Sequence, residues 1–278
     1  MNILDGKKLS QKIADDLRVE IIDLEIKPKL IIVQIGQNQA SEIYLKHKVA
    51  FAEKIGVLCK VLKVDQKTKQ EGIEQIIKEL NKDKNVHGII IQLPVPDKFN
   101  SRKLINCIDP KKDVDGLTDT NLGKILSNEG GILPATPQGI RFLLEEYKIP
   151  VEGKNIVVIG RSVLAGKSIA LALLNQGATV TICHSKTLDL KKHLETADII
   201  VSAVGKNGIV NDSNIGENQI IIDVGIDMTG DKLVGDVDVA NREKILFLSP
   251  VPGGVGPMTV ASLFHNLYLT YANNVDNH

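Results

Sequence analysis

The sequence predicts an α/β fold in two domains. Three observations carry that expectation. A chain of 278 residues exceeds one ordinary domain of ~100–200 residues and falls short of three. Short runs rich in Val and Ile alternate with longer segments of helical period, the pattern of βα units around a mostly parallel sheet. Regular periodicity then fails from Asp109 to Gly139 and resumes beyond it, which marks a change of domain.

Taken in chain order, the first predicted strands are Lys29–Ile35, Val57–Val64 and Val86–Gln92, each a short apolar run with β-branched residues. Between the first two, Ile43, Leu45, Val49, Ala50, Ala52 and Ile55 cluster at helical spacing, with Ser41 placed to cap that helix and Gly56 to end it. Tyr44 and Lys48 stand four apart there and share a face. Glu71–Leu80 carries Ile73, Ile76, Ile77 and Leu80 and reads as a packing helix. Pro137–Tyr147 opens the second part as a helix, followed by strands Asn155–Ile159, Thr179–Cys183, Asp198–Val201 and Gln219–Asp223. The last helical segment, Pro257–Tyr271, is expected to return to the first domain, because a cleft between two lobes needs a hinge and a chain crossing twice provides one. The expected domains are therefore residues 1–120 with 258–278, and residues 121–257.

Composition removes several function classes. A chain 43% hydrophobic and 24% charged is neither disordered nor low in complexity. Its 34 basic and 34 acidic residues cancel and Trp is absent, which argues against a nucleic-acid partner. No uninterrupted apolar run approaches the ~18 residues of a membrane span. Charges break up the N-terminal stretch, unlike a signal peptide, so a cytoplasmic protein without a membrane partner is expected. Cys59, Cys107 and Cys183 form no Cys-x-x-Cys pair; they read as reduced core thiols, and no metal site is expected.

Several segments carry candidate chemistry. The strand ending at Gly160 runs through Arg161, Ser162 and Gly166 into a helix, which would let backbone amides and a helix N-terminus meet a pyrophosphate. The spacing departs from G-x-G-x-x-G, and an ordinary βα turn explains the bare pattern equally well. The next strand ends in His184, Ser185 and Lys186 instead of the acidic residue that grips a ribose hydroxyl in NAD sites, so Ser185 with Arg161 suits the 2′-phosphate of NADP. Tyr44 and Lys48 have the spacing of the short-chain dehydrogenase relay, but in those enzymes the glycine turn comes first, whereas here the pair precedes Gly160. Gln92 sits at the carboxyl end of a buried strand, where open sheets bind ligands. Asp113 and Asp115, two apart in an extended segment, would point the same way and suit either a cation or donor groups on a heterocycle, with recognition preferred. Pro250 to Pro257 packs three prolines and three glycines into a stretch of fixed course that lets backbone approach a ligand.

Together these residues resemble the bifunctional methylenetetrahydrofolate dehydrogenase/cyclohydrolase (FolD) family. The likeness runs in family order through Ala40-Ser41-Glu42-x-Tyr44-x-x-x-Lys48, Gln92-Leu93-Pro94, Lys112-Asp113-Val114-Asp115-Gly116, Pro134-x-Thr136-Pro137-x-Gly139, Gly160-Arg161-Ser162, His184-Ser185-Lys186-Thr187, Asp223-Val224-Gly225 and Pro250 to Thr259. Two positions depart from it: Ala135 where Cys is usual, and Ser168 where Pro is usual. The resemblance implies an N-terminal α/β catalytic domain, a Rossmann-type NADP-binding domain and a cleft between them. It implies NADP-dependent oxidation of 5,10-methylenetetrahydrofolate, then hydrolysis of the methenyl product to 10-formyltetrahydrofolate. Lys48 would shuttle protons, Gln92 would orient it or the water, and Tyr44 would pack on the aminobenzoyl ring. Asp115 would accept from the pterin, while Pro252, Gly253 and Gly254 would let backbone approach the folate. Gly160, Arg161, Ser162, Gly166, Ser185 and Ile226 would hold NADP, and a homodimer through the cofactor domain is implied. The rival readings are a two-domain NADP-dependent dehydrogenase of a small amino or hydroxy acid, and a nucleotide-binding module without catalysis.

Overall fold

The structure, a computed structural model, describes residues 1–229 and 232–275, without the side chains of 39–41, 43, 228–229 and 274–275. Along the chain run β1 (Asn2–Ile3), α1 (Gly6–Ile22), β2 (Lys29–Ile35), α2 (Gln39–Ile55), β3 (Leu58–Val64), α3 (Gln70–Lys82), β4 (Gly88–Ile91), α4 (Ser101–Ile105), α5 (Asp119–Ser127) and α6 (Ala135–Glu146). There follow β5 (Asn155–Ile159), α7 (Gly166–Leu174), β6 (Thr179–Cys183), α8 (Leu190–Glu195), β7 (Ile199–Ser202), β8 (Val210–Asn211), β9 (Gln219–Asp223), β10 (Asp227–Thr229), β11 (Lys232–Val234), β12 (Val237–Asp238), β13 (Ile245–Leu248) and α9 (Val255–Val275). Two compact units result, one of Gln11–Ala135 with Val260–His278 and one of Met1–Ser10 with Thr136–Thr259.

The first unit is built on a parallel sheet of order β3-β2-β4. Strand period decides where its side chains go. Leu30, Ile32 and Ile90 pack with Leu17 and Ile21 of α1, Leu45 and Ala52 of α2, and Phe264 and Leu267 of α9. Ile31, Val33, Ile35, Ile89 and Ile91 face the other way, onto Ile73 and Ile77 of α3. Both faces of β2 are thus covered, which is why it reads as a continuous apolar run instead of an alternating one. Phe51 and Phe264 stack at 5.2 Å within the first of these clusters.

The second unit holds a six-stranded parallel sheet of order β1-β13-β9-β7-β5-β6. The order reverses between β5 and β7: the chain runs outward from β5 to β6, then crosses back to β7. In open parallel sheets that reversal is where ligands bind, beyond the carboxyl ends of the strands.

Three differences from the sequence expectation have physical causes. β1 pairs with β13 through Asn2↔Phe247 and Ile3↔Leu248, so residues 1–10 belong with the second unit, not with the first domain. Helix α5 lies inside the stretch read as irregular and belongs with the first unit; Thr118 caps it by accepting from Asn121 N at 3.3 Å, and Asn128 ends it at φ 56°. Helix α1 is also an addition, its scattered charges being the solvated face of a helix that buries Leu9, Ala14, Leu17 and Ile21. Helix α2 begins at Gln39, two residues before the expected Ser41 cap, whose side chain lies outside the described residues.

A pair of glycines tests this packing. A Cβ at Gly123, in exposed α5, would meet nothing within 4 Å, so Gly123→Ala should stabilise by about 0.5–1 kcal/mol. A Cβ at Gly225 would overlap the Asp236 carboxyl, so Gly225→Ala should destabilise by at least about 2 kcal/mol. Urea midpoints of the two variants against wild type check both signs.

Candidate functional site

The first unit gathers Lys48, Gln92 and Asp115 about the carboxyl ends of its sheet. Lys48 comes from α2, and its Nζ donates to Gln92 Oε1 at 3.0 Å. Gln92 follows β4, carries the ladder one step further by donating its N–H to Val33 O at 2.9 Å, and is buried. Its own Nε2 donates to Leu93 O at 2.7 Å, so the amide cannot turn without losing a bond. Burial pushes the Lys48 ammonium below its usual range, against the opposing pull of Asp115. The attraction of Asp115 therefore limits a shift that desolvation causes. Tyr44 is half-buried, and desolvation raises its phenol.

Asp115 is placed by a turn, not by an extended segment. Residues 112 and 113 run beside β4, with Ile89 N donating to Lys112 O at 2.8 Å and an Ile89↔Asp113 bridge. The chain then turns at Gly116, φ 67°, where a Cβ would stand 2.6 Å from Ile132 O. This separates the two aspartates expected to point together. Asp113 is buried and accepts from Thr118 N at 2.8 Å and Asn121 Nδ2 at 2.9 Å, which sets the start of α5. Lys112 donates to the carbonyls of Asn81 and Asp83, both at 2.7 Å. Asp115 keeps part of its surface while protein crowds its carboxyl; burial raises its pKa more than Lys48 lowers it. Cys59 of β3 adds a neighbour that the sequence reading left as a core thiol. Burial holds that thiol up at about 11, so it stays protonated beside Lys48.

In the second unit the turn after β5 is compressed. Gly160 has φ 124° and its absent Cβ would stand 2.6 Å from Ala203 O, so the loops after β5 and β7 touch at the reversal point. Gly166 has its own need for a missing side chain, since a Cβ there would overlap Gly160 O. Ser162 braces the helix entry, accepting from Ala165 N at 3.2 Å through its hydroxyl and from Lys167 N at 2.9 Å through its carbonyl. Ile159 pairs with Cys183, so Arg161 and Ser185 stand two residues past partners on adjacent strands, both exposed. This cradle fits a dinucleotide: a close backbone approach at a helix N-terminus, a guanidinium and a hydroxyl at neighbouring strand ends, and His184, Ser185 and Lys186 in place of a carboxylate immediately after β6. Ile226 is exposed beyond β9, and its carbonyl lies 3.2 Å from where a Gly205 Cβ would be.

The Pro250–Pro257 stretch answers first to its own turn. Gly254 N donates to Pro250 O at 2.7 Å, and a Gly254 Cβ would stand 2.6 Å from that oxygen. Gly253 has φ 111° and its carbonyl accepts from Lys7 N at 2.9 Å. Both glycines are required by the backbone before any ligand is considered. Pro252 follows a cis peptide bond. The two departures from the family pattern are also accommodated: Ala135 is a core residue, and buried Ser168 donates its hydroxyl to Ala165 O at 2.9 Å.

Two buried carboxylates at the ends of β9 and β12 went unassigned. Asp223 accepts from Gly225 N, Asp236 N and Val237 N at 3.1, 2.9 and 3.0 Å. Asp236 accepts from Ser202 Oγ, Val204 N and Lys206 N at 2.7, 2.9 and 2.6 Å. The pair ties together the loops after β7 and β9. Among the described residues no three His, Cys, Asp or Glu side chains could hold a metal ion, and no helix is long and apolar enough to cross a membrane.

Comparison with known proteins also divides the chain in two, but keeps residues 4–10 with the first part and 260–275 with the second. Residues 4–115 match the catalytic domain of tetrahydrofolate dehydrogenase/cyclohydrolase, and residues 134–275 match its NAD(P)-binding domain. The bifunctional protein FolD of Acholeplasma laidlawii is 44% identical over 270 residues, covering 97% of this chain and 98% of that one. The crystal structure of the Campylobacter jejuni bifunctional enzyme FolD superposes with a TM-score of 0.95 at 39% identity, covering 98% and 99% of the two chains. The Trypanosoma brucei methylenetetrahydrofolate dehydrogenase-cyclohydrolase, solved with NADP cofactor and inhibitor, gives 0.92 at 32% identity over 98% and 97%.

Burial pushes the Asp223 carboxyl up to about 6. The fold therefore favours its protonated form, a contribution to stability that is full below 3.8 and lost as pH rises through about 6. The stability of wild type relative to Asp223→Asn should accordingly fall between about pH 4 and 7, by up to about 3 kcal/mol. Urea titrations of both proteins across that range measure the difference; a rise would reverse the sign.

Proposed function

Because the chain belongs to the tetrahydrofolate dehydrogenase/cyclohydrolase family, it oxidises 5,10-methylenetetrahydrofolate with NADP and hydrolyses the methenyl product to 10-formyltetrahydrofolate, and we propose that Lys48, Gln92, Tyr44 and Asp115 do the work on the folate. The observation that carries this reading is the Lys48 ammonium, desolvated and held at 3.0 Å by an amide whose other end is itself bonded.

When bound, NADP accepts the hydride from the methylene bridge. The chain's contribution to that step is placement. Asp115 accepts from the pterin amino and ring N–H groups, and Tyr44 lies against the aminobenzoyl ring. Gly253 and Gly254 present backbone to the folate, with Pro252 fixing their course. Hydrolysis asks more of the side chains. A water oxygen bonds to the methenyl carbon and gives up a proton to the neutral amine of Lys48; the carbon–nitrogen bond then breaks and the ammonium returns a proton to the departing nitrogen. A lysine at its ordinary pKa holds its proton too tightly to act as the base, so the lowering by burial suits this use. Gln92 aims the amine.

On the cofactor side, Gly160, Ser162 and Gly166 shape the pyrophosphate cradle, Arg161 and Ser185 take the 2′-phosphate, and Ile226 packs on the dinucleotide. Assembly is a homodimer through the cofactor-binding unit. Its support is the β6 edge strand, which leaves Ile182 exposed, together with exposed Leu174. A cytoplasmic location accords with three free cysteines.

Two expectations check these assignments. Lys48→Met keeps the stem and removes the amine, so hydrolysis of added methenyltetrahydrofolate should fall at least about 100-fold while the dehydrogenase survives better and methenyltetrahydrofolate accumulates. Unchanged hydrolysis would return Lys48 to a packing role. Arg161→Ala should weaken NADP binding by roughly 1.5–3 kcal/mol in calorimetry and leave NAD nearly untouched; equal effects on both would remove Arg161 from the phosphate site.

A further inference from the structure

A second glutamine lies beside Gln92. Val33 of β2 pairs with Ile91 of β4, and one residue further along both chains carry an amide, Gln34 and Gln92. Neighbouring strands stand about 4.8 Å apart, so these two residues are adjacent. Alternation puts both on the face of Leu30, Ile32 and Ile90, the face that α2 covers, and the hydrogen bonds agree: Gln92 meets Lys48 of α2, and Gln34 Nε2 donates to Glu42 Oε1 of α2 at 2.8 Å.

Glu42 fixes which way the Gln34 amide faces. A carboxylate accepts only from the NH2 end, so the carbonyl end points away from it. Gln34 is 2% exposed, and its Oε1 is buried with no hydrogen-bond partner among the described residues. A buried acceptor left without a donor costs about 1–3 kcal/mol, a cost that a water molecule or a ligand N–H placed there would remove. An apolar side chain of the same length would carry no such cost in this core.

We propose that Gln34 Oε1 accepts a hydrogen bond from the water that adds in the hydrolytic step. The inference rests on the assignment of Lys48 and Gln92 to that step. Gln92 aims the amine that takes one proton of the water, and Gln34, one strand over, receives the water's other hydrogen. The water thus has its oxygen lone pair directed away from both, toward the carbon it attacks. The hydride step, which involves no water, has no use for Gln34.

The test is Gln34→Met, which keeps length and apolar packing and removes the acceptor. The kcat for hydrolysis of added methenyltetrahydrofolate should fall roughly fivefold to tenfold, the scale of one neutral hydrogen bond, with its KM and the dehydrogenase kcat within about twofold of wild type. Equal loss of both activities would make Gln34 a structural tie between β2 and α2, and no loss would leave the carbonyl idle; either overturns the proposal. Glu42→Met removes the bond that fixes the amide, together with a 4.0 Å ion pair to Lys63, and should lower hydrolysis by no more than Gln34→Met does while sparing the dehydrogenase; a larger loss, or one shared by both activities, contradicts the proposal. Should Gln34→Met not fold, a high-resolution structure of the wild-type protein decides: a water within about 3 Å of Oε1 supports the proposal, and a protein donor or a dry oxygen contradicts it. Failure of wild type itself to hydrolyse methenyltetrahydrofolate would refute the underlying assignment, a result distinct from any of these.

Discussion

Removing a lysine ammonium from water is costly, and the arrangement of the first unit follows from how Lys48 is compensated. Its Nζ has one amide oxygen at 3.0 Å and the charge of Asp115 nearby, while burial works against its proton. Each compensating group is braced in turn. Gln92 is held at the end of β4 by a ladder bond to Val33 and by its own side-chain bond to Leu93. Asp115 is carried by a turn that Asp113 pins from one side, and Asn266 of α9 from the other through Val114 O and Leu133 O at 3.0 and 2.9 Å. Loss of a brace would let water reach the amine, and its pKa would relax toward that of an exposed lysine.

The cofactor-binding unit solves a different problem, with backbone instead of side-chain charge. Gly160 and Gly166 let the β5 turn fold tightly against the loop after β7, and the interlocked carboxylates of Asp223 and Asp236 organise the neighbouring loops through six donors. Gly225 and Gly235 are required because each carboxylate lies where the other's neighbouring Cβ would be. These loops owe their course to buried acceptors. That frees Arg161 and Ser185 at the exposed strand ends for phosphate.

Much of the fold was legible because its strongest signals are local. Lys29–Ile35, Asn155–Ile159, Thr179–Cys183 and Gln219–Asp223 have the bounds the sequence predicts: three are buried parallel strands, which write themselves as apolar β-branched segments, and Thr179–Cys183, at the sheet edge, is β-branched but mostly exposed. What escaped depends on partners far along the chain. Nothing in Asn2–Ile3 announces pairing with β13, and α5 shows few apolar residues because it is anchored by polar bonds to Asp113 and Pro110. The site was legible as residue types, but their division of labour was not. Asp113 and Asp115 are indistinguishable as a spaced pair, and only the turn at Gly116 separates the structural carboxylate from the one beside Lys48. Gln34 had no signal at all, its polarity being visible only against the apolar strand that surrounds it.

The central claim is that burial, opposed by Asp115, sets the proton affinity of Lys48. The most direct measurement is NMR titration of its ε-methylene carbon in selectively labelled protein, in wild type and in Asp115→Asn. The account predicts a wild-type midpoint below the ordinary 10.5 and a further fall in the variant, because the change removes the charge that favours the ammonium. A midpoint at or above 10.5, or an upward move in the variant, would contradict it.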